Sequence, residues 1–207
     1  MIVTLDGQRL ETIPDPAPTL QTLIDGVRAT HDDRLIVSVA IDGQHLGDDA
    51  LEAALAQPVP AATQIDLESA QATEIVGDAL RGLAAEFAAA RDRLGDIAER
   101  LSAGSAAAAV SDIGRYIGLW QTCQRVLSQC SGLLAVDLTR CTLQDRTVQD
   151  WFEELIPKLV EIRGSLEAHD MVLLADLVRY ELPALCDTWQ ALLEDLSAQV
   201  AAGVSQH

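Results

Sequence analysis

Carboxylates are the most abundant reactive groups in this 207-residue chain, and nine of them crowd one stretch: Glu153, Glu154, Glu161, Glu167, Asp176, Glu181, Asp187, Glu194 and Asp195. Inward-facing acids on neighbouring helices can hold two metal ions, but that design needs Glu-x-x-His steps on facing helices. The nearest approach is Glu167-Ala168-His169, one residue short and present once. Asp176 and Glu181 flank an apolar stripe and are the acids best placed to point inward. Their ordinary role is to pair with Arg179 or Arg163, or to face water.

Nucleophilic chemistry has less to build on. His31, His45, His169 and His207 fall in turn-like stretches or at the terminus, without a serine or cysteine partner at a recognisable spacing. There is no glycine-rich phosphate loop, and the single lysine, Lys158, follows a proline within a helical stretch. Cys123, Cys130, Cys141 and Cys186 form no C-x-x-C pair. Cys123 and Cys130, seven apart, share a helix face, and such cysteines read as small buried hydrophobes in a reducing compartment. These patterns assign no catalytic, cofactor-binding or metal-ligating residue and require no cofactor. The expectation is a protein that is not an enzyme.

A net charge of −18 is spread over the whole chain, with 12 acids against 3 bases in residues 1–68 and 20 against 11 in residues 69–207. With no basic patch there is no electrostatic route to a phosphate backbone or an anionic bilayer, so neither nucleic acid nor membrane is an expected partner. No apolar run is long enough to span a bilayer, and the first residues, MIVTLDGQRL, lack the basic and apolar regions of a signal peptide. The expected location is the cytoplasm.

The elements that position these groups divide near residue 68. Residues 1–13 read as two short strands around Asp6–Gly7, followed by three prolines, Pro14, Pro16 and Pro18. Thr19 is placed to cap a helix with apolar positions Leu20, Leu23, Ile24 and Val27. Leu35 to Ile41 is the most strand-like run, with Leu35, Val37, Val39 and Ile41 on one face. Asp42–Gly43 signals a second turn, Asp48 to Ala56 a short helix, and Thr63–Leu67 a last strand.

From residue 69 the periodicity is helical. Val76, Leu80, Leu83, Phe87, Ala90, Leu94, Ile97 and Leu101 follow alternating steps of four and three, an apolar seam for partner helices or for a second copy of the chain. Helices are expected near 69–102, 105–136, 148–168 and 171–201, as an antiparallel, mostly four-helix bundle. Gly114 and Gly118 suggest close approach of another backbone, residues 137–146 a polar connector, and Thr147 with Asp150 a capping arrangement. The last helix is expected to bury Leu173, Leu177, Leu182, Leu185, Trp189, Leu192 and Leu196. Trp151 and Trp189 each lie nineteen residues from Asp170, and Pro157 and Pro183 each thirteen. A hairpin turning at Asp170 would set the tryptophans in one layer and two proline bends in another.

The order strand, strand, helix, strand, turn, short helix, strand, with turns at Asp6–Gly7 and Asp42–Gly43, resembles the β-grasp, or ubiquitin-like, fold over residues 1–68. The resemblance implies α+β architecture, a small β-grasp-like domain (1–68) followed by the helical bundle (69–207). Modifiers and sulfur carriers of that group react through a free terminal Gly-Gly, whereas this sequence closes on Val204-Ser205-Gln206-His207. An interaction or scaffold version of the fold is therefore expected. The stretches ERLSAGSAAAAVSDIGRYIGLWQTCQRVL and EAHDMVLLADLVRYELPALCDTW resemble a type found in bacterial proteins of unassigned function, which implies architecture alone.

The functional expectation is a non-catalytic adaptor or regulatory protein that binds another protein, with a homodimer through the helices as one form. A ligand- or metal-binding helical bundle is one alternative, and a helical chaperone for a filament or secreted protein another. An adaptor should have a dry Leu/Ala core, whereas a ligand binder needs polar groups converging on a cavity.

Overall fold

A computed structural model describes residues 1–10, 19–31, 34–60, 63–104 and 106–203, in two compact units, Met1–Ile75 and Val76–His207. The chain is α+β: a small mixed sheet in the first unit, then a run of helices.

The first unit contains β1 (Ile2–Leu5), β2 (Gln8–Arg9), α1 (Leu20–Thr30), β3 (Arg34–Ile41), β4 (Gln44–His45), α2 (Asp48–Leu55) and β5 (Gln64–Gln71). The sheet order is β2-β1-β5-β3-β4, with β1 parallel to β5 and the other pairs antiparallel. Both hairpins turn on left-handed Asp-Gly pairs: φ is 52° and 78° at Asp6–Gly7, and 50° and 80° at Asp42–Gly43. Such positive φ values match the right-handed twist of the flanking strands, and glycine adopts them without steric cost. The Thr19 side chain caps α1 by accepting from the Thr22 N–H at 3.2 Å. Leu20, Leu23, Ile24 and Val27 then pack against Val3, Leu5, Val39, Ile65 and Leu67. Pro14, Pro16 and Pro18, Asp32 and Asp33, and residues 11–13 of the expected second strand lie outside the described residues.

Two features of the sheet depart from the alternation read in the sequence. The β3–β5 register shifts between Ile36 and Ser38, so Val37 is an extra residue and is 53% exposed. Beyond this bulge the inward positions are Val39 and Ile41, and before it Ile36; Leu35 and Val37 do not share the face of Val39. The last strand also continues to Gln71, past the expected Leu67, because its end is clamped. Asp6 accepts from the Ser69 N–H at 2.8 Å and from its hydroxyl at 2.7 Å. Arg34 donates to the Ser69 hydroxyl at 2.7 Å and carbonyl at 2.9 Å, and lies 3.3 Å from Asp6. Hydrogen bonds from Ser69, and then the Arg34 charge, hold the Asp6 carboxyl below its ordinary range.

The second unit is built from all but the first four residues of α3 (Ala72–Ser102), then α4 (Ala106–Leu134), a 3-10 turn (Leu138–Arg140), β6 (Thr142–Leu143), β7 (Arg146–Thr147), α5 (Val148–Glu167), α6 (Met171–Asp176), a π-helical turn (Leu177–Glu181) and α7 (Leu182–Ala201). The α3 seam is buried along its length, with only Ala90 partly open. Its partners belong to the same chain. Phe87 meets Trp120 of α4 at 5.5 Å and Trp189 of α7 at 6.2 Å between ring centroids. Arg100 pairs with Asp112 and Arg91 with Asp187, so α3 runs antiparallel to both neighbours.

The hairpin of α5 with α6–α7 forms, turning at His169 and capped by the Asp170 side chain on the Leu173 N–H at 3.0 Å. Trp151 comes to the level of Trp189, as the symmetry about Asp170 predicts, but the ring contact is made by its neighbour Phe152, which meets Trp189 at 4.5 Å. Trp151 instead lies under the Arg146 guanidinium, 4.2 Å from its ring centroid. The paired proline bends take another form as well. Pro157 sits inside α5, but Pro183 opens α7 directly after the π turn, in which the Leu182 N–H donates to the Leu177 carbonyl. A proline lacks an N–H, so a change of helical register can place it where none is needed. The buried stripe changes with it: Leu173 is exposed and Leu185 half-buried, while Leu174, Val178, Cys186, Leu193 and Val200 are buried.

Residues 137–146 are more ordered than a polar connector. The β6–β7 hairpin turns on Gln144 (φ 52°) and Asp145 (φ 64°), left-handed without glycine. It delivers Thr147 as the α5 cap, whose hydroxyl accepts from the Asp150 N–H at 3.1 Å while Asp150 accepts from the Thr147 N–H at 2.8 Å. Gly114 and Gly118 have open space beside them, and among the described residues no backbone crosses there. Among the described residues no helix is long and apolar enough to cross a membrane.

Candidate interaction surfaces of the helical unit

The interior of the second unit is built almost wholly from apolar side chains. Its buried polar residues, Ser165 and Ser197, spend their hydroxyls on helix carbonyls. Ser165 donates to Glu161 at 2.9 Å, and Ser197 donates to Gly77 at 3.1 Å while accepting from Arg81 at 3.0 Å. The Tyr116 hydroxyl donates to the Leu182 carbonyl at 3.2 Å and touches the Cys186 sulfur. The indole N–H groups of Trp120 and Trp151 are buried with no acceptor among the described residues.

The residues singled out in the sequence are dispersed rather than assembled. Glu181 pairs with Lys158, not with Arg179 or Arg163, and Asp176 is exposed. Glu167 pairs with Arg163 at 3.6 Å and Asp187 with Arg91 at 3.1 Å. Among the described residues no three His, Cys, Asp or Glu side chains come together as a metal cluster. His45 does have a serine partner: the β3–β4 hairpin brings its Nδ1 to 3.1 Å from the Ser38 hydroxyl. That pair is exposed, and Asp66, the acid that feels the His45 charge, is bonded to Thr4 and Gln64. His169 occupies a left-handed turn position (φ 57°) with its ring against the Glu167 carbonyl, and His207 lies outside the described residues.

All four cysteines are free, three buried and Cys141 half-buried. Burial pushes the Cys123 thiol up to about 12 and the Cys186 thiol to about 11, from an ordinary 9.0. A thiol kept neutral in the fold but ionised in the unfolded chain contributes stability that is complete below pH 9 and is lost as pH rises through the folded values. The denaturant midpoint of the helical unit is therefore expected to fall between pH 8 and roughly pH 10.5, and to fall less in Cys123→Ala, when unfolding is followed at both pH values. Identical pH slopes for the two proteins would refute this assignment.

Two surfaces stand out on the exterior. The first is a set of exposed apolar side chains: Ile156 and Val160, one turn apart on α5, and Val172, Leu173 and Tyr180 along α6 and the π turn. Val172 is 75% and Tyr180 68% exposed. The second is a groove of about 480 Å³ between α3 and α4. Within it the seam carries alanine at position 90, where its neighbours carry Phe87 and Leu94. Ala89, Ala90, Ile97, Tyr116 and Leu119 are its apolar lining. Three acids (Glu86, Asp96, Asp112) and three arginines (Arg93, Arg100, Arg115) line its sides. Asp112 holds Arg100 at 2.7 Å and Arg115 at 3.4 Å.

Periodicity locates α3 and α4, but the groove depends on which small residue meets which neighbour. The one sign of it in the sequence is Ala90, the single small side chain in an otherwise large-residue seam. No protein-family model, curated protein or solved structure matches the chain.

Proposed function

We propose that the protein is a non-catalytic adaptor that binds another protein through its helical unit. The observation that carries this reading is the pairing of an apolar core with exposed Ile156, Val160, Val172, Leu173 and Tyr180 on α5, α6 and the π turn. A ligand-binding bundle needs polar groups converging on an enclosed cavity; here the buried serine hydroxyls go to helix carbonyls, and among the described residues no three acids, histidines or cysteines converge. With a net charge of −18 the complementary partner surface is basic around an apolar centre.

The strand order 2-1-5-3-4 with a parallel central pair supports reading the first unit as a β-grasp scaffold. The alternating directions of α3, α4, α5 and α7 support an up-and-down four-helix bundle for the second. The edge strands β2 and β4 are two residues each, a short template for an added partner strand, which favours the helices as the docking element. Native mass spectrometry of the untagged protein, prepared gently from its own source, tests the proposal. A mass increased by a second, different polypeptide is expected. A small added mass from a metal or ligand, or a bare chain in repeated preparations, would count against it.

A further inference from the structure

The α3 seam is filled by α4 and α7 of the same chain, so a second copy must use another face of the helix. We propose that the α3–α4 groove seats α3 of a second copy, the two helices running antiparallel about a twofold axis between Ala89 and Ala90. The dimer goes beyond the adaptor reading and stands independently of it.

The charge pattern selects this occupant and this direction. Four arginines lie on α3; Arg81, Arg91 and Arg100 each pair with an acid of the same chain, whereas Arg93 makes no ion pair among the described residues. Glu86 makes none either, and both are exposed on the rim of the groove. They are seven residues apart, two helical turns on one face, and their midpoint falls between Ala89 and Ala90. A twofold axis at that midpoint sets Glu86 of each copy against Arg93 of the other, so one geometry satisfies both charges twice. A parallel pair would oppose like charges. The same axis sets Asp96 at the level of Leu83 and Gly82 at the level of Ile97, so no charge comes against Asp96 there. Small side chains at the axis let helices approach to the close end of the usual 8–10 Å separation.

A simple anion or cation has less to gain. The groove carries three acids and three bases, so its net charge is zero, and a singly signed ligand meets as much repulsion as attraction. A strip with matching opposite charges two turns apart fits, and α3 itself is such a strip.

The test measures dimerisation of the full-length chain by sedimentation equilibrium at concentrations up to about 1 mM, where interfaces at the small end of the size range still report. The unaltered chain is expected to dimerise, and Glu86→Arg or Arg93→Glu alone to weaken it at least about tenfold by placing like charges together at both contacts. Mixing the two single variants should restore association as a one-to-one heterodimer, because one chain then carries two cations and the other two anions at the interface. The double variant Glu86→Arg/Arg93→Glu should dimerise again with the charges reversed. Both positions are exposed, and recovery on mixing cannot come from chains that fail to fold. An unaltered chain that stays monomeric, single variants that keep its affinity, or losses that neither mixing nor the double exchange recovers would each overturn the proposal.

Discussion

Replacing Phe87 with alanine is expected to remove about 3–5 kcal/mol from the stability of the helical unit. Phe87 is fully buried at the centre of an aromatic chain that crosses every long helix of the unit. Tyr116 meets Trp120 at 4.9 Å, Trp120 meets Phe87, Phe87 meets Trp189, and Trp189 meets Phe152, joining α4, α3, α7 and α5. Truncation leaves a cavity where four helices converge and removes two ring contacts, each contributing about 0.5–1.5 kcal/mol beyond area burial. The site cannot collapse easily, because each surrounding ring is held by a different helix. Denaturant unfolding followed by tryptophan fluorescence reads this directly, since Trp120 and Trp189 flank the substitution. A loss below about 1 kcal/mol would mean that the rings are not packed as described. Phe87→Leu, which keeps most of the volume, should cost clearly less.

The first unit should respond just as sharply to Ile65→Ala, with an expected loss of about 2–5 kcal/mol. Ile65 is fully buried at the centre of β5, the strand flanked by both β1 and β3. Its cluster is small: nine buried apolar residues, none aromatic. A unit of 75 residues has a total stability on the order of 4–11 kcal/mol, so a loss of this size takes a large part of it. The readout separates the two units, because all three tryptophans lie beyond residue 119. Amide-exchange protection of β1, β3 and β5 should collapse while the tryptophan-monitored transition keeps its midpoint. A shift of that transition equal to the loss in the sheet would show that the units unfold as one, contrary to their separate cores.

Features governed by neighbours within four residues are legible in the sequence. The Thr19, Thr147 and Asp170 caps, the two Asp-Gly turns and the α3 seam all form where the sequence places them. Each depends on a side chain reaching a backbone N–H three residues on, on a left-handed φ that Asp-Gly tolerates, or on a 3.5-residue repeat. The β6–β7 turn escapes such reading because Gln144–Asp145 takes the same left-handed geometry without the glycine that signals it. Strict alternation places Val37 inward because it assumes no bulge, and the added residue is set by pairing with β5 rather than by β3 itself.

The candidate surfaces are less legible than the elements that carry them. Hydrophobic spacing alone does not reveal that Ile156, Val160 and Tyr180 stay outside while Leu174 and Val178 go in, because a helix with apolar residues on several faces has more than one way to pack. The π turn before Pro183 decides which of those ways is taken. Likewise, Glu181 finds Lys158 across the hairpin instead of Arg179 or Arg163, since side-chain level along paired helices follows from the turn at His169.

By itself the sequence determined the α+β order, the helix limits to within a few residues, the acidic exterior and the seam that makes α3 the spine of the second unit. These are local or summed properties, and they survive any arrangement of the parts. Only the tertiary structure decided that the seam is consumed within one chain, that a groove lies between Ala90 and α4, and that Glu86 and Arg93 are left on its rim without ion-pair partners among the described residues. The physical reason is that burial, cavities and unpaired charge are properties of surfaces brought together from distant parts of the chain. Beyond the single small residue at position 90, no local pattern contains that information.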